Sequence, residues 1–215
     1  MALGIPRASF SSAPLQCELT AMAQIYLASS SPRRADLLRQ IGISFNVVAP
    51  RIDETQLESE SPASYVRRIS AAKARLVADR IVDQLPVLAA DTVVVFDGRT
   101  MGKPRDRDDG LQMLSLLSGH THQVLSAVSL CRGKEMETVI SETLVRFRKL
   151  TKEEREIYWD TGEPWDKAGA YGIQGLGAVF VESIEGSYSG VVGLPLMETA
   201  KLLCRFDVDC LSGTL

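Results

Sequence analysis

The sequence predicts an α/β protein built on a mixed sheet. Three observations predict it: short strand-like runs alternate with stretches of helical period, two longer runs flank a tight turn, and no internal repeat or low-complexity tract interrupts the pattern. Residues 25–28 are an apolar run that reads as a buried strand, opening into SSSPRR at residues 29–34. A helix follows, because Ser31 suits its cap, Pro32 its first position, and Leu37, Leu38 and Ile41 its buried stripe before Gly42 stops it. Residues 45–49 read as a second strand. Ser61 and Pro62 repeat the start signal, and Tyr65, Val66, Ile69, Ala72, Leu76 and Ile81 recur at helical spacing, so this long helix carries Lys73. Residues 87–96 are a continuous apolar strand broken at Asp91 and Thr92, and Asp97-Gly98 is a hairpin turn. Residues 106–117 read as a helix stopped by Gly119. Residues 124–131 and 138–147 read as antiparallel strands joined by the turn at 132–135. Thr151 and Glu154 form a capping box for another helix. Residues 161–177 are then a glycine-rich loop, 178–183 a strand and 195–206 a last helix.

Composition excludes several classes. The 215 residues carry 24 Lys and Arg against 27 Asp and Glu, a net charge of −3, with 45% hydrophobic and 24% charged residues. That is a globular balance, and at this size roughly 70% of the unfolded surface can be buried. Residues 24–207 read as the domain, of one body or two small lobes, with 1–23 an extension lacking structure of its own and 208–215 a tail. Pro6, Arg7, Pro14, Gln16 and Glu18 break any apolar leader core, and Met22 is a second candidate start. Two histidines, His120 and His122, exclude a three-histidine zinc site and the HExxH helix. Four cysteines without a CxxC pair point to a reduced, cytoplasmic protein. No run reaches the roughly 18–20 apolar residues of a membrane span, and the acidic balance gives no footprint for nucleic acid.

The chemistry-bearing residues cluster in a few motifs. A strand running through SSSPRR into a helix start aims free backbone N–H groups outward, and Arg33 and Arg34 add fork-shaped donors for phosphate oxygens. The bland alternative is a helix cap with two solvated arginines. Asp91 lies inside VLAADTVVVF, where an unpaired carboxylate would cost several kcal/mol to bury. Either backbone donors satisfy it, or it faces a cleft where it holds a metal or activates water, and the cleft is favoured. Thr92 beside it either orients the same water or metal or is a plain β-branched strand residue. Lys73 either snorkels along the helix rim or reaches the cleft. Lys103, in GRTMGKP, ends a failed P-loop, one residue short and with Pro where Ser or Thr would bind magnesium, yet it can still meet phosphate as a point charge. Asp53 and Glu54 form an acidic turn, solvated or sharing a magnesium ion. The stretch EPWDKAGAYGIQGLG is glycine-dense enough for close backbone approach to a ligand, and Gln174 within it offers a donor and an acceptor that suit either a pyrimidine edge or the loop's own backbone. Ser70 to Lys73 also matches SxxK, an acyl-enzyme pattern that neither SDN nor KTG accompanies here.

Together, SSSPRR, the Asp53-Glu54 turn, Lys73, AADT at 89–92, GKPRD at 102–106, DKAGAYGIQG at 166–175 and VVGLP at 191–195 resemble the Maf-type nucleoside triphosphate pyrophosphatases over residues 25–206. The resemblance implies an ITPase-like mixed elongated β-sheet flanked by helices, two lobes with a central cleft, and hydrolysis of a nucleoside triphosphate to its monophosphate and pyrophosphate. Carried over, Asp91 is the proton acceptor; Arg33, Thr92 and Gln174 govern substrate choice; and Arg34, Lys73 and Lys103 bind phosphate. Glu54 and Asp91 hold a divalent cation, Mg2+ or Mn2+. The AGAYGIQG form is similar to the branch acting on dTTP and UTP and not to that acting on methylated GTP. A homodimer, and a role in division arrest or in keeping modified nucleotides out of polymers, are also implied. The alternative is a nucleotide-binding regulator of septum formation without turnover.

Overall fold

The computed structural model describes residues 22–210, so most of the expected extension and tail lie outside the described residues. Strands β1 (Ile25–Leu27) and β2 (Phe45–Val47) pair in parallel around helix α1 (Pro32–Gln40), and β1 also pairs in parallel with β3 (Val87–Phe96), reached through α2 (Pro62–Ala78). Asp97 and Gly98 both take positive φ, 51° and 75°, the turn that sends β4 (Arg99–Met101) back along β3. Helix α3 (Arg107–Leu117) leads to β5 (Thr121–Arg132), which pairs antiparallel with β3 and with β6 (Glu135–Phe147). After α4 (Lys152–Asp160) and three single turns of 3-10 helix, β7 (Val181–Glu185) joins β6. Two helices, α5 (Tyr188–Val192) and α6 (Leu196–Arg205), follow. The sheet order is β2-β1-β3-β5-β6-β7 with β4 beside β3, so the fold is the mixed α/β class expected.

Several local expectations are corrected. The β5–β6 ladder extends further in both directions than its apolar residues suggest, because backbone pairing continues the register through Thr121, Glu135 and Glu137, which are not buried, and through His122, which is. The strand expected at 178–183 begins only at Val181, residues 176–180 being a 3-10 turn, and α5 falls in a stretch to which the sequence assigns no element. Ser31 sits at the α1 cap position, yet its side chain makes no capping bond; its N–H instead donates to Ser29 Oγ at 3.1 Å. The Thr151–Glu154 capping box forms as read, and Asp106 and Ser61 cap α3 and α2 with their side chains.

Alternation along β3 divides its two faces. Leu88, Ala90 and Val94 enter the main core with Leu38, Leu114, Phe147, Leu203 and Phe206, whereas Val87, Ala89, Val93 and Val95 face α2. The α2 face is split into two small apolar clusters, one around Ala74, Val77 and Ala89 and one around Val66, Val93 and Ala127. Between them lie Ser70, Lys73 and Asp91, all buried. A second feature comes from strand length. Along the β3 edge opposite β5, β1 is in register only as far as Leu88 and β4 only from Val94, so residues 89–93 face a notch in the sheet.

Candidate active site

The notch opens into a cleft of about 690 Å³. Its lining draws on the turn after β1, the first turn of α1, α2, β3, the segment after β4, the loop at 163–175 and the end of α5. Asp91 and Thr92 point to opposite faces of the sheet, yet both line it, because the missing neighbour strand leaves both faces of β3 open at that edge.

On the α2 side, Lys73 Nζ lies 2.8 Å from Asp91 Oδ1 and 2.9 Å from Glu54 Oε1. Lys73 and Asp91 are 8% and 6% exposed, so the snorkelling alternative for Lys73 does not hold. Burial pushes the Asp91 carboxyl above its ordinary value although Lys73 and Arg34 pull it back. The Glu54 segment is held by Tyr65, whose hydroxyl donates to the Glu54 carbonyl at 2.9 Å and is itself raised to about 12, chiefly by burial. Asp53 turns the other way: its Oδ1 accepts from Thr55 N–H at 2.9 Å and Thr55 Oγ1 at 2.6 Å, and it does not line the cleft. Ser70 also points elsewhere, bonding Ser129 Oγ at 2.8 Å and the Arg67 carbonyl at 3.1 Å, so the SxxK pattern has no nucleophile facing its lysine or the cleft.

On the other face, Arg34 is fixed by three acceptors: the Gly193 carbonyl at 2.9 Å, Ser29 Oγ at 3.3 Å and Thr92 Oγ1 at 3.4 Å. Burial lowers its guanidinium from the ordinary value, with Asp91 opposing that shift. Thr92 Oγ1 also meets Ser126 Oγ at 2.8 Å, and Ser126 donates to the Gly190 carbonyl at 2.6 Å. Gly193 takes φ 133°, and this brings the VVGLP segment's carbonyl onto Arg34. Arg33 is half-buried and reaches across to Asp166 at 3.3 Å; Asp166 in turn meets Lys167 Nζ at 2.6 Å. Lys103 stands exposed at the rim, and Gln174 is exposed on the turn of the glycine-rich loop, with neither side chain hydrogen-bonded among the described residues.

Eight residues singled out by the sequence lie on one cleft, Arg33, Arg34, Glu54, Lys73, Asp91, Thr92, Lys103 and Gln174, whereas Asp53 and Ser70 do not. Sequence reasoning missed Tyr65, Glu163, Asp166, Lys167 and Tyr171, which line it as well. For Lys167 and Asp166 the signal was present, a charged pair inside a glycine-rich loop; for Tyr65 there was none beyond its place on an apolar helix face.

The Asp91 and Glu54 carboxylates both line the cleft and both meet Lys73, and hard oxygen donors of this type are those that magnesium takes from protein when phosphate supplies the remainder. No group of three or more His, Cys, Asp or Glu side chains is arranged to hold a metal among the described residues. No helix among them is long and apolar enough to cross a membrane.

This geometry of cations and a buried carboxylate around an open sheet edge suits an anionic ligand. The Maf-like protein family model matches residues 24–206, and the chain belongs to that family. It is 53% identical over 190 residues to the dTTP/UTP pyrophosphatase of Alkalilimnicola ehrlichii, covering 86% of this chain and 94% of that one. The dTTP/UTP pyrophosphatases of Symbiobacterium thermophilum and Saccharophagus degradans are each 50% identical, covering 89% and 86% of this chain and 98% and 90% of their own.

Proposed function

We propose that this chain is a dTTP/UTP pyrophosphatase, hydrolysing the triphosphate between the α and β phosphates to release pyrophosphate. The single observation that carries the reading is the buried Asp91–Lys73–Glu54 group opening onto a cleft whose opposite wall presents Arg33 and Arg34. Asp91 accepts the proton of the attacking water. Its raised pKa suits a base, since a carboxylate destabilised by burial gains more from taking a proton than a solvated one. Lys73 holds Asp91 and Glu54 at one point and contributes positive charge beside the phosphates. Arg34, held by three acceptors, faces the developing charge without needing to reorganise, and Lys103 meets the phosphates from the rim as a mobile point charge. Glu54 and Asp91 are the residues that hold a divalent cation, Mg2+ or Mn2+. When bound, such an ion neutralises phosphate charge and polarises the reacting phosphorus.

Substrate choice falls to Arg33, Thr92 and Gln174. The exposed Gln174 amide has both a donor and an acceptor free, matching the carbonyl and imide N–H that thymine and uracil present on one edge. Cytosine and adenine present mismatched groups. Residues 24–207 act as a single catalytic unit, in a homodimer in the cytoplasm, which light scattering on the purified protein and fractionation check directly.

The test is pyrophosphate release from a panel of nucleoside triphosphates, with and without Mg2+, for the wild type and Asp91→Asn. Failure to hydrolyse dTTP and UTP sinks the reading. Tight nucleotide binding without magnesium-stimulated hydrolysis would favour the alternative of a regulator that binds without turning over.

A further inference from the structure

We infer that Glu163 is a positioning residue for base selection, clamping from below the turn that presents Gln174 to the cleft. The inference rests on the proposed base-reading role of Gln174 and explains what holds that side chain in place. Gly175 N–H closes a turn onto the Gly172 carbonyl at 3.4 Å, with Ile173 and Gln174 at its centre. Ile173 is buried and anchors the turn in the core, so Gln174, its neighbour, is left facing outward.

The turn has no ladder to hold it; its C-terminal flank ends on the Glu163 carboxylate and its N-terminal flank on a phenol bonded to that carboxylate. Glu163 Oε2 accepts from Leu176 N–H at 2.8 Å, and Glu163 Oε1 accepts from Gly177 N–H at 3.1 Å and from Tyr158 O–H at 2.7 Å. Tyr158 Oη passes the tether on, accepting Gly172 N–H at 3.0 Å. Three amides at 172, 176 and 177 are therefore gathered, directly or through one phenol, by a side chain about a dozen residues away. The packing is tight enough to dictate sequence. A Cβ on Gly175 would stand 2.2 Å from Glu163 Oε2, and one on Gly177 would stand 2.6 Å from Tyr158 Oη and 2.8 Å from the Gly172 carbonyl. The two glycines of the QGLG segment are thus spaces for the clamp.

The clamp also needs an anion. Burial alone would raise the Glu163 carboxyl, but the Gly177, Tyr158 and Leu176 donors outweigh it and leave the group below its ordinary value, ionised and acceptor-only. Glutamine has the same shape but must turn an NH2 group toward at least one of three donors, so Glu163→Gln breaks the clamp without changing volume. Asp91 and Lys73 are on β3 and α2, across the cleft from this contact.

Glu163→Gln is expected to raise KM for UTP about tenfold while kcat changes by less than about threefold, and to shrink the preference for UTP over CTP by a similar factor. Hydrogen exchange at the Leu176 and Gly177 amides should accelerate by about tenfold or more. Tyr158→Phe, which keeps the carboxylate and removes the relay to Gly172, should move the same quantities in the same direction by less, and it carries the test if Glu163→Gln does not fold. A folded Glu163→Gln protein with unchanged KM, unchanged base preference or unchanged amide exchange overturns the inference, provided Gln174→Ala loses the preference in the same assay. If Gln174→Ala keeps it, base reading by Gln174 fails first and the selectivity role of Glu163 falls with it.

Discussion

On one side of the cleft, Asp91 and Thr92 are carried by β3, which is in register with β5 at every residue from Val87 to Val95, and Lys73 by α2 packed over both strands. On the other side, Gln174, Asp166 and Lys167 are carried by a chain whose only regular structure is single 3-10 turns, tied by the side chains of Glu163, Tyr158 and His122. The difference teaches a division of labour. The buried charges of Asp91 and Lys73 are carried by a backbone ladder and a long helix, whereas the loop that presents Gln174, proposed above to read the base, is fixed by side chains, which can be exchanged without dismantling the sheet.

The largest effect tests the sheet wall. Asp91→Asn keeps the shape of the carboxylate and should lower kcat by about 10²–10⁴, measured as pyrophosphate release at saturating dTTP; a loss under about threefold removes Asp91 from the chemistry. In the metal-free protein the Asp91 carboxyl should also take up its proton above 3.8, the ordinary value for an aspartate, because burial disfavours its charged form, and an NMR titration checks this. Next is Lys73→Met, which strands a buried Asp91 carboxylate and should cost about 3–5 kcal/mol of stability in chemical denaturation, the cost shrinking at low pH where Asp91 can neutralise. A change below 1 kcal/mol, with the pair so poorly exposed, would mean that water reaches the site and that the sheet wall is softer than described.

The loop wall has its own pH signature. His122 is 2% exposed on β5 and bonds Tyr171 Oη at 2.8 Å, with Nδ1 buried and without a partner. Burial lowers it from 6.5 to about 4, so the unfolded chain takes up a proton near pH 6.5 and the folded protein does so only near pH 4. Its contribution is fully present above pH 6.5 and is lost as pH falls toward 4, by up to about 3 kcal/mol. His122→Gln should flatten that part of the stability curve between pH 7 and 4.5; equal slopes in the two proteins would show that other groups set it. The smallest effect belongs to the contact joining the walls. Asp166→Asn removes the Arg33 bridge, whose partners are 32% and 61% exposed, and should change stability by less than about 1 kcal/mol, with even that lost at high salt.

How much of this could be read beforehand follows the same division. Asp91 was legible because a carboxylate in an apolar strand needs a reason, and the α2 helix because Tyr65, Val66, Ile69 and Leu76 repeat at its period. Lys73 was half-legible: its place on the helix was clear, but its burial depends on Glu54 arriving from a segment with no regular structure. The notch was not legible at all, since it arises from where β1 and β4 stop along β3, and pairing partners far apart in sequence leave no local trace. Nor was the Glu163 clamp, whose bonds cross about a dozen residues without periodicity. The α1 start was read correctly from Ser31 and Pro32, although the Ser31 side chain makes no capping bond and its N–H donates to Ser29 Oγ.

The notch has a consequence for the chain's solubility as well as its chemistry. A 10-residue run such as VLAADTVVVF, with an edge open at its middle, is the kind of segment that templates strand pairing between molecules. Asp91 breaks its apolar character at the open stretch, and Lys73, Glu54 and Arg34 surround that edge with charge. On the proposed assignment, the residues that carry the chemistry are thereby also expected to act as gatekeepers against aggregation. Variants made to silence the enzyme by removing those charges uncover a sticky strand, so solubility and activity are expected to decline together along this edge.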